Sequence, residues 1–364
     1  MRRGLPLFIG VFQSILFAAH LLVFETWLQF WGPVPKAALV GAAMVMSVLS
    51  LSFLVATLLS FKYWNSFARA VYRVAAVWLG LFNFLFLAMF GVWLTSLFAV
   101  MMNWHPNSRG IVVGWFGMAL VAALWGMINA SFPRISRINV RLPNLPDSWR
   151  GRTAAMISDL HLGHVRGANF ARNIVASIRQ LRPEMVFLAG DLYDGSHADL
   201  DALAGPLRGL NAPLGNFFVA GNHEEIRDPK GHLQAAQNAG LRLLNNEKVV
   251  VDGMQIIGVH HYDAAHPARL HAVLENAGID RLQPSVLIVH APDQLAVAER
   301  AGISLQLSGH THHGSSFRGP GLPNASTSSL STACRNLAIC WSTRRAARAH
   351  GDRHCGFAPI RKSC

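Results

Sequence analysis

The first third of the chain has almost no acidic residues. Glu25 is the only carboxylate before Asp147, although the whole chain has 19 Asp and Glu residues. Cysteine is also absent before Cys334. The scarcity of charge argues against a soluble helical bundle in this region, since such a bundle needs a polar surface. The absence of cysteine argues against a closed thiolate zinc site in most of the chain.

Long apolar runs take the place of the missing charge. Each is long enough for the roughly 20 residues that cross a bilayer. The runs are Leu5–Phe24, Ala37–Phe61, Val74–Met102 and Ile111–Ile128. Trp and Tyr cluster at their ends, as at a membrane interface. We therefore predict a transmembrane region of four helices over residues 1–133. Arg2 and Arg3 before the first run also resemble a signal peptide, but the three further runs favour a retained anchor.

Lys and Arg are unevenly distributed over the segments that join these runs. Eight lie on one side, at Arg2, Arg3, Lys62, Arg69, Arg73, Arg134, Arg137 and Arg141, and two on the other, at Lys36 and Arg109. Because positive loops stay in the cytoplasm, we predict a multi-pass protein of the cell membrane with its catalytic domain in the cytoplasm. Gln13, His20 and Glu25 in the first run are expected to face a bundle interior, which leaves a transport role open.

Residues 134–150 form a basic linker between the membrane region and the next domain. Ile138, Asn139 and Val140 have strand character, and Pro143 and Pro146 follow. The linker is expected to hold the domain near the lipid surface, where its basic residues attract anionic headgroups.

Four short motifs with metal-binding side chains follow in order. They read Asp159-Leu160-His161, Gly190-Asp191-Leu192-Tyr193-Asp194, Gly221-Asn222-His223-Glu224 and Gly309-His310-Thr311-His312, and His290 lies between the last two. Most follow an apolar run, as sites at strand ends do in α/β folds. The candidate ligands are Asp159, His161, Asp191, Asn222, His290, His310 and His312. Carboxylate, imidazole and amide donors suit Mn, Fe or Zn. Seven ligands are too many for one ion and fit two divalent ions that share a carboxylate.

The order of these motifs resembles that of the calcineurin-like metallophosphoesterases. Their signature is D-x-H, GD-x-x-D, GNH-[DE], a lone His and GH-x-H, and the resemblance covers residues 151–312. It implies a four-layer sandwich with two central sheets flanked by helices. The alternation of strand and helix patterns, with a hairpin signal at Asp252-Gly253, is consistent with this α/β (α+β) fold.

The resemblance also implies a role for each motif residue. One ion is expected on Asp159, His161 and His312, and the other on Asn222, His290 and His310. Asp191 bridges both, and a hydroxide that bridges the ions attacks phosphorus. His223 corresponds to the residue that donates a proton toward the leaving oxygen, so Asp191 and His223 are the expected catalytic residues. Asp194 and Glu224 are expected to orient the ligands, although Asp194 is equally typical of a turn. His164 and His261 either line the substrate pocket or lie in solvated loops.

The predicted function is therefore membrane-anchored, metal-dependent hydrolysis of a phosphoester or pyrophosphate. Proximity to the bilayer makes a phosphorylated, lipid-linked substrate attractive, and one type of relative in the family cleaves UDP-2,3-diacylglucosamine. The alternative is a membrane protein whose domain keeps the fold as a binding or regulatory module without turnover. Nucleic acid is not an expected partner, since the basic excess lies mainly in the tail and the membrane flank.

Residues 313–364 differ from the rest of the chain. This tail has all four cysteines, Cys334, Cys340, Cys355 and Cys364, in no zinc-finger spacing, and eight Arg and Lys against one Asp. The Gly-Gly-Gln and Trp-Gly-Pro-Pro elements that usually close the family fold are missing. We interpret the tail as translated out of frame, so that the sandwich lacks its last strands. The alternative is a genuine basic tail that is disordered or binds anionic partners.

Overall fold

The computed structural model of the protein describes residues 4–131, 133–311, 316–318 and 335–343. The backbone divides into two compact units, Met1–Ser131 and Phe132–Cys364. Several sequence predictions lie outside the described residues. They concern Arg2, Arg3, His312, the side chains of the tail and its proposed change of reading frame.

The first unit consists of long apolar helices. They are α1 (Gly4–Trp31), α2 (Lys36–Lys62), α3 (Ser66–Met101) and α4 (Ser108–Ala130). All four are long and apolar enough to cross a membrane, which confirms the predicted transmembrane helices. Two extend well beyond the predicted runs. Helix α1 continues through Glu25, because a single acid does not end a helix. Helix α3 begins at Ser66, where the side chain of Asn65 accepts the N–H of Ala68 at 2.8 Å.

Polar side chains inside this unit are paired with one another. His20 is buried, donates from Nδ1 to the carbonyl of Leu16 at 2.8 Å and accepts the indole N–H of Trp78 at 3.1 Å. Gln13 donates to the carbonyl of Ser50 at 2.9 Å. Glu25, in contrast, is exposed on the helix surface. The prediction of an inward position is therefore confirmed for His20 and wrong for Glu25. Five residues turn through 500° around a helix, which is not close to a whole number of turns, so residues 20 and 25 occupy different faces.

The second unit is built on two sheets. The strands are β1 (Arg134–Leu142), β2 (Thr153–Ile157), β3 (Met185–Ala189), β4 (Asn216–Val219), β5 (Arg242–Leu243), β6 (Glu247–Val251), β7 (Met254–Gly258), β8 (Ser285–Ile288), β9 (Leu305–Ser308), β10 (Ser316–Arg318) and β11 (Arg335–Thr343). The first sheet has the order β1-β11-β2-β3-β4-β5, and the second has the order β10-β9-β8-β7-β6. Strands β2 to β5 run parallel, as do β7, β8 and β9. The carboxyl ends of each parallel set therefore meet at one edge.

Helices cover the outer faces of the two sheets. They are α5 (Ala168–Leu181), α6 (Leu200–Ala204), α7 (Pro229–Asn238), α8 (His261–Ala264), α9 (Pro267–Asn276) and α10 (Leu295–Ala301), with 3-10 turns at Asp147–Trp149 and Gly205–Gly209. Helix α5 buries Ile174 and Ile178 on the side of the first sheet. Leu270 of α9 and Val297 of α10 pack with Ile257 and Leu287 of the second sheet. The four-layer α/β sandwich predicted from the sequence is confirmed.

The hydrophobic core lies between the sheets. Their facing strands contribute alternate, fully buried side chains, among them Met156, Phe187, Val219, Ile256, Ile288 and Leu307. This alternation follows from the two-residue period of a strand. The core fixes the distance between the two sheets, and so between the side chains that follow their strands.

The segment predicted as a basic linker is part of the first sheet. Strand β1 spans nine residues, where the sequence indicated strand character at three, and Val140 and Leu142 are buried in the core. Beyond it, Trp149 is buried and its indole N–H donates to the carbonyl of Asp252 at 2.9 Å. Residues 134–149 are therefore fastened to the fold, rather than forming a free connector.

The tail contributes a strand to each sheet. Strand β11 pairs in parallel with β1 and antiparallel with β2, and β10 pairs antiparallel with β9. The prediction that the sandwich lacks its last strands is therefore wrong for the backbone. The physical reason is that strand pairing uses main-chain N–H and C=O groups, which any sequence without proline supplies.

Gly91 in α3 is a test of the packing of the membrane helices. A Cβ at this position would lie 2.5 Å from the Trp115 ring of α4, whereas a Cβ at Gly80 of the same helix would have no atom within 4 Å. We expect Gly91→Ala to lower the stability of this unit by about 1–3 kcal/mol through overpacking. Gly80→Ala is the matched control and should be neutral or slightly stabilising. Thermal unfolding of the full chain in detergent measures the difference, and equal melting temperatures would contradict the predicted contact.

Candidate metal centre

The motif side chains lie at the carboxyl ends of strands from both sheets. Asp159 and His161 follow β2, Asp191 follows β3, and Asn222 and His223 follow β4 of the first sheet. His290 and His310 follow β8 and β9 of the second sheet. The structure brings all of these residues together, and His312 is outside the described residues.

The Asp191 carboxylate is at the middle of the cluster. It is 1% exposed, and its Oδ2 lies 3.3 Å from His290 Nε2, 3.7 Å from His161 Nε2 and 3.9 Å from His223 Nε2. Its other oxygen, Oδ1, accepts the backbone N–H of His223 at 3.0 Å. One buried oxygen is thus shared by imidazoles from three motifs.

The two ring nitrogens of His290 have different surroundings: Nδ1 contacts a backbone carbonyl, and Nε2 faces side-chain acceptors. Its Nδ1 lies 2.9 Å from the carbonyl oxygen of Ala189, which can only accept, so Nδ1 carries a proton. Its Nε2 lies 3.1 Å from Asn222 Oδ1 and 3.0 Å from His310 Nδ1, and Asp191 Oδ2 is also close. In the neutral His290 ring, Nε2 presents a lone pair toward two other acceptors, Asn222 Oδ1 and Asp191 Oδ2, whereas His310 Nδ1 is a donor or an acceptor according to its tautomer. A cation among these oxygen and nitrogen atoms would be stabilised by their lone pairs, which is the property of a metal site.

The pKa values of Asp191 and His290 reflect the contact between the two side chains. Burial by itself would raise the pKa of Asp191, but His290 and His223 lower it to about 2. Burial by itself would lower the pKa of His290, but the hydrogen bond and charge of Asp191 raise it overall. The two pKa shifts are therefore in opposite directions, as expected for a carboxylate and an imidazole in contact.

Two groups of side chains could each hold a metal ion, and they share Asp191. The groups are His161 with Asp191 and His223, and Asp191 with His290 and His310, with the ligand atoms of each within 4.8 Å of one another. Asp159 belongs to neither group. Its carboxylate lies 4.0 Å from His161 Nε2 and accepts the backbone N–H of His310 at 3.1 Å. Asp159 thus connects the first motif to the last.

Several of these residues have a left-handed backbone. The φ angles are 56° at Asp159, 45° at His161, 53° at Asp191 and 67° at His310. Each such non-glycine residue costs of order 1–3 kcal/mol unless its surroundings hold it. Arg166 is one of the restraints, since its guanidinium donates to the carbonyls of Asp159 and Leu160 at 3.2 and 3.3 Å.

The sequence interpretation did not identify Arg166. A signal was present, because no acidic residue occurs between residues 160 and 183. An arginine with no acid nearby in sequence is a candidate for binding main-chain carbonyl groups, which are the other acceptors that a guanidinium can use.

Glu224 restrains the backbone of the loops that supply the candidate metal ligands. It is fully buried, and its carboxylate accepts the N–H groups of Asp191 at 2.9 Å, Gly221 at 2.7 Å and Tyr193 at 3.1 Å. Burial, with the nearby charge of Asp191, raises the pKa of Glu224 to about 7, although these three donors favour the carboxylate. Glu224 therefore acts on the main chain of the ligand loops, and not directly on the side chains of the His and Asn ligands.

The Asp194 side chain has the contacts of a turn residue, and its backbone carbonyl contacts His223 rather than a metal ligand. Its side chain accepts from the backbone N–H of His164 at 3.2 Å and of Ser196 at 2.8 Å, as in a turn. Its backbone carbonyl accepts from His223 Nδ1 at 3.0 Å. The orientation of His223 therefore depends on the main chain of Asp194.

The two remaining candidate histidines differ from each other. His164 is fully buried, so the prediction of a solvated loop residue is wrong for it. His261 is half-buried, and its ring centre lies 5.7 Å from that of His290. Burial lowers the pKa of His261, and the neighbouring His290 and His310 lower it further.

Comparisons with known proteins identify relatives of the domain that contains these residues. A family model described as calcineurin-like phosphoesterase matches residues 153–314. A Danio rerio transmembrane protein with metallophosphoesterase domain is 30% identical over 54% of this chain and 48% of its own length. An uncharacterized metallophosphoesterase of Helicobacter pylori is 29% identical over 56% and 55%, and one of Aquifex aeolicus is 30% identical over 55% and 77%. The chain thus spans about half the length of the first two relatives.

Glu224→Gln tests the buried carboxylate. The amide nitrogen of glutamine cannot accept, so at least one of the three N–H donors loses its partner. We expect a loss of about 1–3 kcal/mol in the free energy of unfolding and weaker Mn²⁺ binding. Glu275→Gln, at an exposed glutamate, is the control. Chemical unfolding and calorimetric Mn²⁺ titration of the full chain measure both effects, and wild-type values in Glu224→Gln would contradict the proposed restraint.

Proposed function

The chain belongs to the calcineurin-like phosphoesterase family, and from that premise we propose that it is a membrane-anchored hydrolase of phosphoester or pyrophosphate bonds that uses two divalent ions. The observation that carries the proposal is the sharing of Asp191 by two groups of metal-binding side chains from different sheets. A single buried carboxylate between two sets of imidazoles suits a pair of ions.

The residues that fit this role are those of the motifs. We assign Asp159, His161 and His312 to one ion, and Asn222, His290 and His310 to the other, with Asp191 on both. Support comes from the lone pairs that converge at His290 Nε2. The donors are oxygen and imidazole nitrogen, which suits Mn, Fe or Zn. When bound, the ions polarise the phosphoryl oxygens and make water acidic enough to act as a nucleophile at neutral pH.

His223 is placed to handle the proton of the leaving group. Its Nδ1 donates to the carbonyl of Asp194, which leaves Nε2 as the ring atom directed to the reaction. The side chain is 31% exposed, so a substrate can reach it. We therefore assign proton donation to the leaving oxygen to His223 Nε2, and not metal binding, although His223 lies within reach of the first ion group.

The membrane unit gives the enzyme its location. Three residues, 131–133, separate α4 from β1, so a short tether joins the hydrolase to a membrane span. We propose that the enzyme unit lies on the cytoplasmic side of the cell membrane, since Lys62, Arg69 and Arg73 mark one end of the spans and Lys36 and Arg109 the other. The lower density of positive charge at the second end supports this orientation.

Metal binding and turnover can be separated by two substitutions. Asp191→Asn should lose Mn²⁺ uptake and all detectable turnover, because both groups depend on its carboxylate. His223→Gln should keep Mn²⁺ uptake and lose roughly 10²–10⁴-fold in kcat, as for a general acid. His271→Gln, at an exposed histidine of α9, is the control. The assay uses the full chain in detergent, a chromogenic phosphodiester and calorimetry of Mn²⁺.

Three outcomes would change the assignment. Loss of Mn²⁺ from His223→Gln would make His223 a ligand. Mn²⁺ uptake by the parent chain without turnover would favour the alternative of a binding or regulatory module. No Mn²⁺ uptake by the parent would remove the proposed centre.

A lipid-linked pyrophosphate is the substrate class that we propose. The anchor places the hydrolase where such substrates occur, and acyl chains add about 0.8 kcal/mol of binding for each buried CH₂ group. We expect kcat/KM for UDP-2,3-diacylglucosamine in mixed micelles to exceed that for a UDP-sugar without acyl chains by at least about tenfold. Equal values at matched micelle concentration would remove the lipid-linked proposal and leave a soluble phosphoester as the substrate.

A further inference from the structure

His261 lies beside the metal centre and has no role in the preceding assignment. It is the first residue of α8, and Val259 and His260 separate it from the end of β7. Its ring centre is 5.7 Å from that of His290, with the rings 69° apart, and 6.3 Å from that of His310. His261 is thus adjacent to the side chains assigned to the second ion.

His261 is nevertheless outside the ligand groups. The ring centres of His290 and His310 are 4.8 Å apart, closer than either is to His261. Neither group of atoms within 4.8 Å of one another includes His261. His261 is therefore adjacent to the second ligand group without belonging to it.

The side chain of His261 also lacks the backbone partner that its neighbours have. The Nδ1 atoms of His290 and His223 are bonded to carbonyl oxygens. His261 Nδ1 is buried and has no hydrogen-bond partner among the residues that the structure describes. A buried N–H without an acceptor is costly, so the neutral ring keeps its proton on Nε2. That makes Nε2 a hydrogen-bond donor on a ring that is only half-buried.

The preceding residue, His260, fixes the start of α8. Its Nδ1 accepts the N–H of Tyr262 at 3.3 Å, and its Nε2 lies 2.9 Å from Glu225 Oε1. Its backbone N–H donates to Asn246 Oδ1 at 3.0 Å. Glu225 belongs to the loop that supplies Asn222 and His223, so these contacts tie α8 to the metal-binding loops. His261 is therefore held at a defined place, as a substrate-binding side chain requires.

We propose that His261 donates a hydrogen bond from Nε2 to a non-bridging oxygen of the phosphoryl group bound beside Asn222, His290 and His310. The inference rests on the proposed hydrolase function and names a further residue that contacts the substrate. The contact exists in the bound ground state, so its main effect is on substrate binding.

The test compares two substitutions in the full chain in detergent, loaded with Mn²⁺. His261→Phe keeps the ring shape and removes the donor, whereas His261→Gln keeps a donor. His271→Phe, at an exposed position of α9, is the matched control. The measurements are calorimetric Mn²⁺ uptake, the Kd of inorganic phosphate, and kcat and KM for a chromogenic phosphodiester.

We expect all variants to bind Mn²⁺ like the parent chain. His261→Phe should weaken phosphate binding about tenfold and raise KM by a similar factor, as for one lost hydrogen bond, with kcat within about threefold of the parent value. His261→Gln should recover part of the phosphate affinity.

Other outcomes would overturn the inference in distinguishable ways. Unchanged phosphate Kd and KM in His261→Phe, with the parent binding both Mn²⁺ and phosphate, would remove the contact and leave the proposed function intact. Loss of Mn²⁺ from both His261 variants would make His261 a metal ligand. A parent chain that binds neither Mn²⁺ nor phosphate would overturn the proposed function and the inference together.

Discussion

The arrangement of the second unit depends on the electrostatic interactions of one buried oxygen, Asp191 Oδ2. Imidazoles from three motifs surround it, and the amide oxygen of Asn222 lies beside His290. A second buried carboxylate, that of Glu224, binds the N–H of the same aspartate. So many acceptors near one another are stable only with positive charge among them, which a proton on His290 or a cation supplies. The fold therefore keeps a cluster of acceptor atoms that favours metal binding. Contacts to the main chain hold the left-handed backbone of the loops that supply these atoms.

The distance between the sheets sets the dimensions of this centre. Asp159, Asp191 and Asn222 come from the first sheet, whereas His290 and His310 come from the second. Buried side chains such as Phe187 and Ile288 fill the space between the sheets and fix their separation. Glycines allow the loops to approach at this edge. A Cβ on Gly221 would lie 2.6 Å from the backbone nitrogen of Asp191, so the close contact of two ligand loops requires glycine there.

Local patterns in the sequence were sufficient to predict the elements that carry their own signals. The hairpin at Asp252-Gly253 has φ angles of 47° and 76° that suit these residues. The ordered motifs predicted which side chains meet. Contacts through the main chain could not be predicted, because a sequence pattern does not show which N–H group a carboxylate binds. Glu224 acts in this way. Strand β1 was only partly predicted, since polar Ser136 on its inner face and apolar Ile135 on its outer face break the alternation of buried and exposed residues.

The membrane unit differs from the enzyme unit in how its polar groups are satisfied. His20 pairs with Trp78, Gln13 with the carbonyl of Ser50, and Thr26 Oγ1 accepts the indole N–H of Trp93 at 3.0 Å. Within lipid, polar groups that bind one another strengthen helix association and leave no donor or acceptor for a solute. In the second unit, by contrast, His290 Nε2, Asn222 Oδ1 and Asp191 Oδ2 converge on one place at the edge of the sheets. The side chains that could bind a metal ion are thus in the second unit. We interpret the four helices as an anchor because their described interior polar groups are already paired, whereas those of the metal centre require a cation.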